Sequence, residues 1–460
     1  MNRTKYLIKN IGLLTISNFS SKILVFLLVP LYTSVLTTSE YGTYDLIIST
    51  VSLIYPIFTL NIADAVMRFT MDDRYSKGAI ISKGLKYICL GVAITAVVTY
   101  GLSIAKIWDG LLPFFGFYYT AFSFNQFLTQ MAKGLEKVQD MAISGVISTL
   151  IMVLGNIIFL LIFQWGLNGF FLAGILSQAL SALYLCFRMR AWQYIKHRSS
   201  DKNLNREMLF YSIPLIATSL GWWVNNTLDR YAVVFLCGVA ANGLLSVAYK
   251  IPSILNVVQQ IFIQAWQISA IREYGENESR YFYGKAFSTI NMMMCMVCAV
   301  LILLTRPLAS ILYAREFYSA WVYVPFLLIS SALNCAAGLL GPVLSAKRDS
   351  KTMMWSAIVG AFVNAVLNII LILFMGVQGA AVATMISSLA IFIIRRYGVG
   401  KDILIVDRYW LTWLILIAQA CAEVSIGTYI LELALIGMMI ALNAANIKSV
   451  IRMGTQILRR

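Results

Sequence analysis

In this chain of 460 residues, 60% are apolar and 12% charged. Soluble domains run at roughly 45–50% and 25%, so an ordinary water-soluble fold is excluded. The net charge of +16 would suggest nucleic acid in a soluble chain; with this composition it reads as Lys and Arg gathered on the cytoplasmic side of membrane helices, and no nucleic-acid partner is expected.

Apolar runs of about twenty residues, rather than alternating ten-residue segments, indicate a polytopic all-α membrane protein and not a β-barrel. The start Met1–Lys9 is basic and enters an apolar run broken by Ser17, Asn18, Ser20, Ser21 and Lys22. No small-x-small cleavage site follows, so this is a first membrane helix and not a signal peptide. Membrane helices are expected at 11–36, 44–68, 80–104, 112–132, 141–165 and 168–188. A basic connector follows, then helices at 207–236, 243–268, 282–304, 319–345, 352–375 and 379–396, with a final pair at 409–426 and 428–447. The total is about fourteen. Most basic residues fall at one set of ends, including Arg68–Lys86, Arg188–Arg206, Arg272–Lys285, Arg395–Arg408 and Lys448–Arg460. Short loops rich in Lys and Arg stay cytoplasmic, which places both termini inside.

An internal repeat divides the chain. LGNIIFLLIF (Leu154–Phe163) matches LNIILILFM (Leu367–Met375), aligning Asn156 with Asn368. The turns GLNG (Gly166–Gly169) and GVQG (Gly376–Gly379) then match, as do Ala173 with Ala383 and Ser177 with Ser387. Helices 5–6 thus correspond to 11–12 in the same sense, the pattern of parallel repeats about an axis along the membrane normal. The expected organisation is an N-lobe over 1–195, a connector over 196–206, a C-lobe over 207–400, and a C-terminal helix pair with a basic tail over 401–460. In such transporters the substrate site lies between the halves near the midplane.

Polar residues at membrane depth mark candidate sites, because an ionised side chain there costs roughly 2.5–3.5 kcal/mol and is expected to face a bundle interior or a wet cavity. In the first helix Asn18 and Lys22 share a face, with Lys22 about eleven residues into the span and so near its middle. In the second, Asn61, Asp64 and Arg68 share a face, and the i, i+4 spacing of Asp64 and Arg68 allows pairing. Arg68 also suits a cytoplasmic-end anchor. In the seventh, Ser219, Trp223, Asn226 and Arg230 form one stripe, with Asp229 about 100° away from Arg230. In the eighth, Asn256, Gln260, Gln264 and Gln267 form another, with Lys250 and Ser253 at its edge. The candidate cavity cations are Lys22, Arg68, Arg230 and Lys250; Asn18, Asn61, Asp64, Trp223, Asn226, Asp229, Asn256, Gln260 and Gln264 complete the polar lining.

Catalysis finds little support. The single His197 lies in a basic loop, which removes the usual general base and metal ligand. The seven cysteines sit mostly in apolar runs, and Cys295 and Cys298 lie in the Met-rich MMMCMVC, so helix packing explains them better than disulfide, redox or metal chemistry. No Gly-rich phosphate loop, nucleophile elbow or carboxylate cluster is present. The outer loops are short, the longest about Thr305–Tyr318, which argues against a membrane polymerase or ligase.

Three stretches carry a family resemblance: LYTSVLTTSEYGTYDL (Leu31–Leu46), NTLDRYAVVFLCGVAANGLLSVAYKIPSIL (Asn226–Leu255) and FYSAWVYVPFLLIS (Phe317–Ser330). In this order they resemble the Wzx-type O-antigen flippases, polysaccharide-biosynthesis members of the multidrug/oligosaccharidyl-lipid/polysaccharide exporter superfamily. The chain departs from the pattern at Asn61, where relatives often have Gly, and at Leu245, where they have Tyr. The resemblance implies two six-helix lobes of the MATE-like kind and no enzymatic activity. It implies an oligosaccharide unit on undecaprenyl diphosphate, carried from the inner to the outer leaflet of a bacterial inner membrane for O-antigen or capsule assembly. It further implies membrane lipids, a polysaccharide polymerase and a chain-length regulator as partners, and no cofactor beyond coupling to an H+ or Na+ gradient. Asp64, Asp229, Glu423 and Glu432 are the carboxylates that such coupling could use. A cationic lumen suits the diphosphate, and Trp222, Trp223 and Trp266 suit sugar faces. The alternative within the superfamily is a cation-coupled multidrug exporter, for which deep carboxylates are the expected partners.

Overall fold

A computed structural model describes residues 24, 26–72, 74–104, 111–195, 202–272, 279–347, 349–400, 403, 409–444, 446 and 447. Among them there is helix and no strand. Among the described residues seven helices are long and apolar enough to cross a membrane, or eight if one bent pair is a single span. Lys22 and Asn18 lie outside the described residues.

The chain forms two compact units, Met1–Thr227 and Leu228–Arg460. In the first, α1 (Val29–Val35) precedes α2 (Thr38–Phe58). Thr37 and Glu40 open α2 with a reciprocal capping box: the Glu40 N–H donates to Thr37 Oγ1 at 3.2 Å and the Thr37 N–H to Glu40 Oε2 at 2.8 Å. Two orphan donors are thereby satisfied. The expected uninterrupted span 44–68 is broken. The Asn61 N–H donates to Pro56 O at 2.9 Å and the Leu60 N–H to Ile57 O at 3.3 Å, closing α2 in a Schellman turn. Leu60 and Asn61 take φ of 51° and 49°, and α3 (Ile62–Thr70) departs at 61° to α2. Asn tolerates the left-handed region better than other residues with a Cβ, so Asn61 suits this position.

α4 (Lys77–Ile104), α5 (Leu112–Gly134), α6 (Val138–Asn156) and α7 (Gly166–Met189) complete the bundle of this unit, with α7 packed along α6 and α5, and α5 against α3 and α4. α6 runs on into a π-helical turn, Ile157–Ile162. α8 (Lys202–Cys237) is 36 residues long, about 54 Å at 1.5 Å per residue and longer than a bilayer core of about 30 Å. Its first turns are tied to the same unit through Tyr75 and Tyr87, which donate to Glu207 and Asn205 at 3.1 and 3.0 Å. The division between the units falls within this helix.

In the second unit Gly238, at φ 92°, turns the chain into α9 (Val239–Ala248). α10 (Lys250–Arg272), α11 (Ser279–Leu303) and α12 (Thr305–Leu312) follow, then a 3-10 stretch (Arg315–Tyr323) leading into α13 (Val324–Ala346). α14 (Ser350–Met375), α15 (Val377–Val399), α16 (Tyr409–Ser425) and α17 (Tyr429–Leu442) end the described chain. α13 forms the centre, packed by α10, α11, α15 and α16, and nearly all its side chains are buried.

The repeated hairpins share an internal bond. Ser177 of α7 donates to Ser148 O at 2.8 Å across 29 residues, and Ser387 of α15 donates to Gly360 O at 2.8 Å across 27. The two extra residues of the first copy lie between Asn156 and Gly166, where the π-helical turn takes up added length.

Candidate transport site

In the first unit the polar group assembles where α2 breaks. Asp64, in the first turn of α3, is half-buried. Its Oδ2 accepts from Asn61 Nδ2 at 2.9 Å and its Oδ1 from Gln130 Nε2 of α5 at 2.6 Å. Among the described residues two amide donors hold the carboxylate and no cation pairs with it. The pairing that the i, i+4 spacing allows does not form: Arg68 is exposed, and no ion pair joins it to Asp64. Beyond the bend, Asp64 meets α5 through Gln130. Trp223 of α8 donates its Nε1–H to Ser49 O at 2.9 Å. Asn226 is exposed and spends its amide on Trp222 O at 2.7 Å.

In the second unit Asp229, 4% exposed, accepts from the Tyr249 hydroxyl and, at 2.9 Å, from the Arg230 N–H. The Arg230 guanidinium lies over the same Tyr249 ring, 5.9 Å from its centroid, a cation–π arrangement. Tyr249, at the junction of α9 and α10, therefore joins two sequence neighbours whose side chains leave the helix about 100° apart. Lys250 follows it, half-buried. Asn256 and Gln260 lie exposed on α10, and the Gln264 side chain is outside the described set. Trp266 differs from expectation. It is buried, donates to Leu339 O at 2.8 Å and packs on Phe282 and Tyr283; it anchors α10 to α13 and presents no face to a sugar.

Sequence spacing thus found Asn61 with Asp64, and Asp229 with Arg230. It missed Gln130 and Tyr249, the residues that complete each group. It also missed a matched pair of part-buried contacts: Asn125 of α5 donates to Gln178 of α7, and Asn334 of α13 donates to Ser388 of α15 at 3.1 Å. Gln178 and Ser388 each directly follow a serine of the repeat, which was the available signal. Among the described residues no group of three His, Cys, Asp or Glu could hold a metal. The arrangement offers cations, amides and hydroxyls for binding polar cargo, and no nucleophile with an adjacent base.

The fold has known relatives. It is similar to the lipid II flippase MurJ in an inward closed conformation, with a TM-score of 0.70 at 13% identity, covering 96% of this chain and 100% of that one. It is similar to an inward-facing multidrug resistance MATE family transporter of the MOP superfamily, with a TM-score of 0.62 at 12% identity over 84% and 98%. A MOP superfamily transporter from Pyrococcus furiosus matches with a TM-score of 0.52 at 14% identity over 85% and 93%. These relatives are transporters and flippases, not enzymes. No curated protein sequence matches the chain. The family described as polysaccharide biosynthesis protein matches residues 7–267, more than half the chain and all of the segment carrying Asp64, Asp229, Arg230 and Lys250. The chain belongs to the polysaccharide biosynthesis protein family and has the helical fold of MOP-superfamily transporters.

Proposed function

We propose that the protein is a flippase that carries a polyprenyl-diphosphate-linked oligosaccharide from the cytoplasmic to the outer leaflet of a bacterial inner membrane by alternating access, for assembly of a surface polysaccharide such as O-antigen or capsule. The observation that supports this reading best is the pair of half-buried cations, Arg230 and Lys250, on helices of a chain that belongs to a polysaccharide biosynthesis family. A guanidinium offers a planar fork to a phosphate oxygen pair and an ammonium offers a point charge. The diphosphate supplies the complementary anion. Exposed amides on α10, Asn256 and Gln260, suit the hydroxyl groups of the sugars. A polymerase and a chain-length regulator are partners on this reading, and an H+ or Na+ gradient would drive the cycle.

One observation favours the multidrug-exporter alternative: Asp64 and Asp229 are inside their bundles, where carboxylates would meet organic cations. The test is complementation of a strain lacking the gene. Arg230→Ala should reduce transport about tenfold or more, equivalent to ~1.4 kcal/mol or more of lost stabilisation, at normal membrane levels, and Lys250→Ala should weaken it as well. Lys22→Ala extends the same test to the first helix, and Lys22→Arg should be partly tolerated if charge alone matters there. Normal surface polysaccharide in all the alanine variants would remove the cations from the site.

A further inference from the structure

Glu423 and Glu432 belong to neither polar group described above, and together they form an unusual charge arrangement. α16 ends one residue before Ile426, and Gly427, at φ 63°, turns the chain into α17. Glu423 is 1% exposed and Glu432 0%. One cation meets them. Arg306, in the first turn of α12, lies 4.3 Å over the Trp321 ring and donates Nη2–H to the Glu423 carbonyl at 2.8 Å. Its Nε is 3.0 Å from Glu423 Oε1, an ion contact off the N–H axis. The guanidinium presses so closely on the turn that a β-carbon at Gly427 would lie 2.1 Å from Nη2.

One neutral amide lies beside the pair. Gln419, one turn before Glu423, gives its amide N–H to Ala299 O of α11 at 2.9 Å, and its own Oε1 accepts nothing. Neither carboxyl oxygen of Glu432 receives a hydrogen bond, although Glu423, Gln419 and Arg306 are its neighbours. Among the described residues, the charged and titratable groups facing Glu432 are Glu423 of α16 and Arg306 of α12; α11 and the 3-10 stretch add the Ala299 carbonyl and the Trp321 ring. Two ionised carboxylates against one guanidinium would leave a net negative charge among apolar helices, which buried sites avoid by neutralising a group.

We propose that Glu423 and Glu432 form a binding site for one exchangeable proton. Glu432 carries it as a carboxylic acid and donates its O–H to the Glu423 carboxylate, which Arg306 neutralises. The same oxygens could be offered to a monovalent cation, but the guanidinium beside them opposes a second positive ion. A proton adds no bulk and closes the charge balance. When it leaves, the Glu432 O–H bond breaks and two carboxylates face one another with a single guanidinium between them for charge balance, so water must enter and α17 must loosen from α16. Docking of the C-terminal helix pair is thus linked to proton binding. This inference stands independently of the cargo.

The test uses the full-length protein in lipid nanodiscs, with infrared difference spectra and thermal unfolding recorded across pH. The wild type should show a protonated-carboxyl band at neutral pH that disappears on alkalinisation. The equilibrium favouring the docked state should fall about tenfold per pH unit as the pair titrates, the slope for one proton. Glu432→Gln, which keeps the shape of the acid, should lack the band and unfold with much less dependence on pH. Should that variant fail to fold, Glu423→Gln carries the test: Glu432 then becomes the sole partner of Arg306, ionises, and the band is again lost. A band that persists in the folded variant, its absence from the wild type, or unfolding that responds to sodium and not to protons would each overturn the proposal.

Discussion

The two repeated hairpins, α6–α7 and α14–α15, solve one packing problem with different lengths of chain. Both begin their second helix at a glycine with positive φ, Gly166 at 52° and Gly376 at 58°. Both tie the second helix to the first with a serine-to-carbonyl bond of 2.8 Å. Their asparagines differ. Asn368 donates to Asn364 at 2.9 Å, whereas both amide atoms of Asn156, equally buried at 0% exposure, lack a hydrogen-bond partner. The copy with the extra residues and the π-helical turn is the one whose amide makes no bond at all, whereas in the other only Asn368 Oδ1 goes unpaired. The comparison separates what the hairpin needs for packing, the serine bond and the glycine turn, from what one copy is free to change.

The largest expected break is at the second glycine of each turn. A β-carbon on Gly379 would lie 2.2 Å from Leu371 O, whereas one on Gly169 would meet Phe159 Cβ at 2.9 Å. Gly379→Ala should therefore cost about 3 kcal/mol or more, and Gly169→Ala about 1 kcal/mol, within the range for overpacking; thermal unfolding of the purified variants measures the gap. The asparagines give a smaller contrast. Asn368→Leu should destabilise by about 1–2 kcal/mol, because it strands acceptors on Asn364, and Asn156→Leu should be neutral or stabilising, because it removes an unpaired buried amide. Equal losses would show that Asn156 has a partner of its own. The smallest effect should be at the serines: Ser387→Ala loses one hydrogen bond, about 1 kcal/mol, and Ser177→Ala slightly more, because its hydroxyl also bonds Ser148 Oγ at 2.8 Å.

Much of this architecture was legible because apolar runs and glycine turns act over short stretches of chain. The matched Asn and G-x-[N/Q]-G turns revealed the repeated hairpin without any contact information. The break after α2 was not legible, since Leu60 and Asn61 sit inside an apolar pattern and only the closing hydrogen bonds show why the helix stops. The partners of the charged residues were hidden for a related reason. Gln130 is 66 residues from Asp64, and Tyr249 is 20 from Asp229, so helical spacing could not pair them. That same spacing suggested Arg68 for Asp64, but Arg68 is exposed on α3 and the carboxylate is taken by Asn61 and Gln130. Trp266 shows the opposite failure: its residue type suits a sugar face, but its burial against α13 decides its role.

The central claim is translocation of a lipid-linked glycan. Its most direct test is to delete the gene in its own host and profile the diphosphate-linked glycans in membrane extracts. The account predicts that complete lipid-linked units accumulate while surface polysaccharide disappears. Unchanged glycans, with cells newly sensitive to cationic dyes or drugs, would contradict it and assign the protein to drug export.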